Sequence, residues 1–97
     1  MPGPAKKNPE IYLRAAEVFK ALAHPARLRL LHRLMAGDCC VGEIERCLGI
    51  SQPNVSQHLK ILKEAGLISG SRKGTKICYR LTADRLRSFL AGVLEGE

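Results

Sequence analysis

The chain has 97 residues, with 16 Lys or Arg against nine Asp or Glu and a formal net charge of +7. That length supports one domain with a modest core and leaves no room for a second. The sequence has no apolar run that could cross a membrane, and its polar, proline-rich start is unlike a signal peptide. We therefore expect a cytoplasmic protein with no membrane partner, in which a flexible tail, 1–8, precedes a domain, 9–97.

Two amphipathic helices are predicted in the first third of the chain. The first covers 9–22, where apolar residues recur at helical spacing. The second covers 25–36 and begins with Pro25 in its first turn, where a missing N–H costs nothing. His24 is expected to cap this second helix. The apolar positions are Ile11, Ala15, Val18 and Leu22 in the first helix, and Leu28, Leu31, Leu34 and Met35 in the second.

The middle of the chain predicts two short helices joined by a tight turn. The first covers 41–48, and Gly49 and Ile50 form the turn. The second begins after Ser51, a favourable N-cap, and ends near Gly66. Its buried stripe consists of Val55, Leu59 and Leu62. Two helices with a short glycine-containing turn are the helix-turn-helix plan.

The free side of that second helix is polar but carries little charge in its first two turns. Ordinary solvated helices carry Glu and Lys there, whereas side chains of this kind can donate and accept hydrogen bonds at base edges or phosphates. We interpret them as DNA contacts; the alternative is a simple polar surface. They are Gln52, Asn54, Ser56, Gln57 and His58, with Lys60 one turn further on.

Beyond this helix, the apolar pattern changes to a period of two over 68–81, which predicts a hairpin with a basic turn at 71–74. A hairpin beside a helix-turn-helix is the wing of a winged-helix domain. Arg72, Lys73 and Lys76 are expected to contact phosphates beside the groove. The predicted fold class is mainly α with a small β-hairpin: a winged helix-turn-helix of five helices plus the wing.

The basic charge is concentrated in the segment that is expected to contact DNA, since 51–80 contains six basic residues and one acidic residue. RNA and anionic membranes also attract basic proteins. With two Phe, two Tyr and no Trp, however, the chain offers little surface for stacking single-stranded bases. Double-stranded operator DNA is the expected partner.

The last segment, 82–97, predicts a helix capped by Thr82 and followed by Gly96. Its apolar stripe is long for a chain terminus and consists of Leu86, Phe89, Leu90, Val93 and Leu94. A domain this small cannot bury both terminal helices behind one core, so we expect a homodimer through the terminal helices. The alternative is that they fold back on the monomer.

Several segments together resemble the ArsR/SmtB family of small homodimeric winged-helix repressors that sense metals, metalloids or thiol oxidants. The resemblance covers nearly the whole chain and implies contacts of Gln52, Ser56 and Gln57 with the operator, with Val41 near the DNA. It also implies a dimer through the terminal helices. The matching segments are 21–28, 41–44 and 51–59, with Gly74, Tyr79 and Leu81 in the wing.

Four cysteines carry the information about an inducer, and free thiols are expected because no secretory signal is present. In the family's arsenite and cadmium sensors, cysteines alternate at the start of the helix before the turn. Cys40 matches the first of them, but Gly42 and Glu45 occupy the other positions. The family's His and carboxylate site on the last helix is also missing, because 82–97 contains no His.

A different soft site is predicted from Cys39, Cys40 and Cys78. Adjacent thiols can bind one thiophilic centre such as As(III), which takes about three sulfur ligands. In a winged helix the segment near Cys39 runs beside the second wing strand, so Cys78 can supply the third sulfur. As(III) or another soft metal ion is therefore the favoured inducer, with no cofactor required for folding. Cys47 is expected to pack as a small apolar side chain.

The alternative inducer is a thiol oxidant acting on the same residues. A helix N-terminus favours the thiolate of Cys40, which could then form a persulfide or a disulfide with Cys78. A disulfide between the adjacent Cys39 and Cys40 would be strained.

Two other classes of protein remain as alternatives to a DNA-binding repressor. A winged helix can bind protein instead of DNA. A thiol oxidoreductase usually carries Cys-x-x-Cys after a strand of an α/β fold, and this sequence has neither that spacing nor a catalytic triad. We do not expect an enzyme.

Overall fold

A computed structural model describes residues 9–96 and contains five helices and three short strands in that range. The helices are α1 (Glu10–Leu22), α2 (Pro25–Met35), α3 (Val41–Leu48), α4 (Gln52–Glu64) and α5 (Asp84–Leu94); the strands are β1 (Cys39–Cys40), β2 (Ile68–Lys73) and β3 (Lys76–Leu81). This confirms the winged helix-turn-helix with five helices. The predicted tail, 1–8, and the final residue, 97, lie outside the described residues.

The core is aliphatic and is formed where α2, α3 and α4 meet the sheet. The side chains that are almost completely buried include Leu31 of α2, Ile44 of α3 and Leu62 of α4. Leu90 anchors α5 to the same core. The predicted stripe of α4 is confirmed, since Val55, Leu59 and Leu62 are its buried residues. Burial of this stripe leaves the opposite side of α4 in solvent.

The turn between α3 and α4 depends on Gly49. This residue adopts the left-handed conformation at φ +65°, and its N–H donates to the carbonyl of Glu45 at 2.8 Å. A residue with a Cβ is disfavoured there. Ser51 occupies the N-cap position of α4, as predicted, although its side chain makes no capping hydrogen bond. The first turn of α4 thus begins at Gln52, as the helix-turn-helix plan requires.

The sheet is antiparallel in the order β1, β3, β2. The predicted position of the turn is wrong, because Ser71, Arg72 and Lys73 belong to β2 and the loop is Gly74 and Thr75. A two-residue hairpin favours a positive φ at its first loop position, and Gly74 supplies it at +66°. The basic side chains therefore lie along the strands and not in the loop.

The capping predictions had different outcomes. His24 caps α2 as expected, since its Nδ1 accepts the N–H of Ala26 at 3.1 Å. Thr82 does not cap α5, whose N-cap is Ala83. Instead, the Thr82 hydroxyl donates to the carbonyls of Gly66 at 2.8 Å and Leu67 at 3.2 Å. These are the backbone acceptors where the chain leaves α4 for β2, so Thr82 fastens the base of the wing.

Among residues 9–96, no helix is both long and apolar enough to span a bilayer.

Candidate DNA interface and cysteine pair

Helix α4 presents its polar side chains to solvent over the first two turns. Gln52, Asn54, Ser56 and Gln57 are exposed, and so is Lys60. Their exposure leaves them free to meet a nucleic acid. Five exposed polar side chains on one helix can contact base edges and phosphates when that helix lies in a major groove.

A groove of about 350 Å³ runs between α4 and β3. Gln52, Ser56 and Lys60 line it from α4, and Ile77 and Tyr79 line it from β3. Val41 lies at the α3 end of this groove and is half-buried. The helix and the wing therefore face one common space.

Two further polar residues, neither predicted as a site residue, also line the groove. Lys63 lies seven residues after Ser56, on the same helix face, and Tyr79 alternates with Ile77 along β3. The helical spacing and the period of two were both visible in the sequence. Lys63 adds a cation and Tyr79 adds a hydroxyl to the candidate interface.

The wing distributes its basic side chains on both faces of the sheet. Arg72 is paired with Ile77, and Lys73 is paired with Lys76. Directly opposite residues of an antiparallel pair point to the same face, and successive residues alternate. Arg72 therefore shares the α4 side with Ile77, whereas Lys73 and Lys76 point to the other side near the tip. All three are exposed.

Gly70 positions the ring of Tyr79 in this interface. The two residues are paired across β2 and β3, and a Cβ at Gly70 would lie 2.9 Å from Cε1 of Tyr79. The aromatic ring therefore covers the bare backbone of Gly70. Any larger residue at position 70 would displace the ring toward the groove.

His58 differs from the other predicted DNA contacts on α4 because it is half-buried and turned toward α2. Its ring centroid lies 4.6 Å from that of His24, and its Nδ1 lies 3.4 Å from Nη1 of Arg27. Arg27 in turn donates to the carbonyl of Ala21 at 2.6 Å. The contact thus links α4 to the junction between α1 and α2. Burial, with further contributions from His24 and Arg27, lowers the pKa of His58 below its ordinary value of 6.5.

This pKa shift predicts a loss of stability in mild acid. Because the folded state holds the pKa of His58 low, the unfolded state binds more protons once the pH falls below about 6.5. The stabilising contribution is complete above that pH and is lost as the pH falls further. We expect the free energy of unfolding, measured with urea, to decrease between about pH 7 and 5.5, and His58→Gln to weaken this decrease. An unchanged slope in His58→Gln would refute the assignment.

Cys40 and Cys78 face each other across β1 and β3 and form a disulfide. Their Cα atoms are 3.7 Å apart. Cys40 is also the N-cap residue of α3, and its backbone N–H donates to Oε1 of Glu43 at 3.2 Å. The disulfide therefore joins the N-cap residue of α3 to the central strand of the sheet.

Cys39 does not join this pair, so the predicted set of Cys39, Cys40 and Cys78 is not assembled. Adjacent residues of a strand point to opposite faces, and Cys39 is buried in the core at 1% exposure. Burial raises the pKa of its thiol above the ordinary value of 9.0, so the thiol stays protonated at neutral pH. Within 9–96, no three His, Cys, Asp or Glu side chains are grouped to hold a metal ion. Cys47 is a half-buried free thiol.

Comparisons with known proteins agree with this geometry. The family model described as bacterial regulatory protein, arsR family, matches residues 24–69, which include α2, α3 and α4. The HTH-type transcriptional repressor SmtB of Mycobacterium tuberculosis (strain ATCC 25618 / H37Rv) is 43% identical over 83 residues, which are 86% of this chain and 62% of that protein. The chain thus spans less than two thirds of that relative's length.

Two other relatives are covered more fully. The transcriptional repressor SdpR of Bacillus subtilis (strain 168) is 42% identical over 77 residues, which are 79% of this chain and 86% of that protein. The homodimeric winged helix-turn-helix DNA-binding domain of Mb0332 from Mycobacterium bovis, a possible ArsR-family regulator, superposes with a TM-score of 0.85 at 31% identity. That match covers 96% of this chain and 86% of the other. The fold and these relatives are those of transcriptional regulators and not of enzymes.

Proposed function

Since the chain belongs to the ArsR family of bacterial regulatory proteins, we propose that it is a DNA-binding transcriptional repressor controlled by the thiol state of Cys40 and Cys78. The observation that carries this proposal is the pairing of these two cysteines between the start of α3 and strand β3. The protein acts where its DNA is, in the cytoplasm.

In this proposal, α4 enters the major groove of the operator and the wing contacts the flanking phosphates. Gln52, Asn54, Ser56 and Gln57 supply hydrogen bonds to base edges or backbone. The cations of α4 and the wing neutralise phosphates and make binding strongly dependent on salt. The common groove of α4 and β3 supports this arrangement, because one duplex can contact both elements.

The switch follows from where the disulfide lies. The disulfide is a covalent link between β1 and β3, and its reduction removes that link. Since β3 carries the wing and Cys40 begins α3, the change alters the angle between the wing and the helix-turn-helix. We infer that the dithiol form binds the operator and the disulfide form releases it.

As(III) is the second candidate inducer, because the reduced form presents two opposed thiols. Cys40 and Cys78 would supply two thiolates, which are soft ligands of the kind that suits a thiophilic centre. Cys39 points to the other face of β1 and is buried, so it does not supply a third sulfur in this fold. This weakens the three-sulfur site and favours the redox interpretation of the same two residues.

We propose that a second copy of the chain packs against the terminal helices α1 and α5 to form a homodimer. Apolar side chains on α1 and α5 stay exposed in the monomer: Leu13 at 69%, Phe19 at 60%, Phe89 at 48% and Val93 at 59%. A cavity of about 360 Å³ between α1 and α5 continues this apolar surface. Contiguous exposed surface of this kind is typical of an interface. The likeness to a homodimeric domain supports the proposal.

The dimer is tested by sedimentation of a variant carrying Phe19→Asp and Phe89→Asp. Charges at two apolar contact positions oppose burial, so we expect a monomer at micromolar concentration where the unmodified protein is a dimer. Ile77→Asp, at an exposed apolar position remote from α1 and α5, should remain a dimer. A double variant that still sediments as a dimer would contradict this interface.

Fluorescence anisotropy of a labelled duplex from the protein's own promoter tests the proposed function. The reduced protein should bind at low salt, and a persulfide or peroxide should release the duplex as a Cys40–Cys78 bond appears by mass spectrometry. Arsenite, cadmium and zinc are added separately with a non-thiol reductant. Release by arsenite alone would favour the second candidate, and no binding at low salt would refute the DNA interface altogether.

A further inference from the structure

A cavity of about 670 Å³ lies beside Cys40, between the start of α3 and the tip of the wing. It is lined by Cys40, Gly42 and Glu43 at the α3 end and by Thr75 and Lys76 at the wing, with Arg46 one turn along α3. Its size is in the range of small-molecule sites. Val41 and Lys76, which were predicted to lie at the DNA, also line this cavity.

Access to the disulfide through this cavity is asymmetric. Cys40 lines the cavity and is half-buried, whereas Cys78 is only 5% exposed and does not line it. A reagent that enters the cavity therefore meets the sulfur of Cys40 first. Cys78 is therefore the second thiol to react, and it attacks the sulfur of Cys40.

The charge of the cavity favours an anion. Glu43 is engaged by the N–H of Cys40 at 3.2 Å and by Nη2 of Arg33 at 4.0 Å. Arg46 extends over Gly42, with Nη1 3.8 Å from the place of a Cβ there. Within residues 9–96, neither Arg46 nor Lys76 is in an ion pair, and both are exposed. Two cations outside any ion pair thus line the same cavity as Cys40.

We propose that this cavity binds carboxylate-bearing low-molecular-weight disulfides, which oxidise the cysteine pair; this rests on the proposed function of that pair. Arg46 and Lys76 hold the carboxylates of the ligand. They bring its S–S bond to Cys40, whose thiolate is the attacking group.

The reaction is a double thiol–disulfide exchange. The Cys40 thiolate attacks one sulfur of the ligand, the ligand S–S bond breaks, and one thiolate leaves with the bonding electron pair. Cys78 loses its proton to solvent and attacks the sulfur of Cys40, which expels the second ligand thiolate. The two protein thiols are oxidised to one disulfide, and one ligand disulfide is reduced to two thiols.

The test compares three disulfides of different charge on the reduced protein: oxidised glutathione (anionic), hydroxyethyl disulfide (neutral) and cystamine (cationic). The rate of Cys40–Cys78 bond formation is followed by acid quenching and mass spectrometry. We expect the ratio of the anionic to the neutral rate to fall about tenfold in a variant carrying Arg46→Gln and Lys76→Gln, as for loss of two charge-assisted contacts. In the same variant, the rate of oxidation by cystamine should rise relative to the rates with the other two disulfides.

Arg80→Gln is the matched control, because Arg80 lines a separate cavity with Cys78, and Cys40 does not line that cavity. It removes a cation near the same bond and should leave the ratio unchanged. An unchanged ratio in the double variant, an equal fall in Arg80→Gln, or no oxidation by any of the three reagents would overturn the proposal.

The assay contains no DNA, so its outcome is independent of operator binding. Charge-selective oxidation without release of the promoter would refute the proposed switch and leave this binding site standing. Promoter release on oxidation without charge selectivity would refute this binding site and leave the proposed switch standing.

Discussion

Replacing Gln52, Arg72 and Lys73 together with glutamate should abolish binding to the promoter duplex. Arg72 and Lys73 are exposed on the wing, and Gln52 lines the groove between α4 and β3. Two phosphate contacts become repulsive and one hydrogen-bonding group gains a charge beside the DNA. We expect a loss of about 1,000-fold in affinity at moderate salt, measured by anisotropy.

Lys20→Glu is the control for this variant, since it reverses a charge on α1, away from the groove and the wing. It should bind the duplex nearly as well as the unmodified protein. The dependence of the logarithm of affinity on the logarithm of salt should also be shallower in the triple variant, if any binding remains. Unchanged affinity in the triple variant would exclude the helix and wing as the interface and favour a protein-binding winged helix.

Cys78→Ser should produce a repressor that binds the operator whether or not an oxidant is present. Removal of one sulfur prevents the bond between α3 and β3 that the proposed switch requires. We expect the oxidant to weaken binding of the unmodified protein by about 10- to 100-fold, a usual size for coupling between sites. This difference should vanish in Cys78→Ser, as measured by anisotropy before and after persulfide treatment.

Cys40→Ser should behave in the same way and guards against a folding defect at the buried position 78. Cys47→Ala and Cys39→Ala keep both paired sulfurs, so both should still respond. A response lost only in Cys47→Ala would overturn the assignment of the pair. Loss of an arsenite response in Cys39→Ala would restore the three-sulfur site that was predicted from the sequence.

Helix patterning and the turn residues were enough to predict the winged helix-turn-helix. The stripe of Val55, Leu59 and Leu62 predicted which side of α4 is buried, and that side is buried in the structure. Thr82 shows the limit of local rules, because its preferred role as a cap was outweighed by carbonyls of Gly66 and Leu67. Those acceptors lie about 15 residues away in sequence and become neighbours only in the folded chain.

The cysteine site shows a similar limit. Adjacency in sequence suggested that Cys39 and Cys40 act together, but a strand directs neighbouring side chains to opposite faces. The approach of Cys78 to Cys40 was anticipated from the likeness to winged helices, and their register makes it a pairing. His58 lies beside the edge of the buried stripe of α4, and its contact with Arg27, 31 residues earlier, has no signal in local spacing.

The most direct test of the proposed switch is a measurement of the reduction potential of the Cys40–Cys78 pair with and without the operator duplex. If the dithiol form binds DNA more tightly, DNA must stabilise the dithiol form to the same degree. The proposed switch predicts a more positive potential with DNA, by about 30 mV for each factor of ten in affinity per pair. An unchanged potential at saturating duplex would show that operator binding is independent of this disulfide and would contradict the proposed switch.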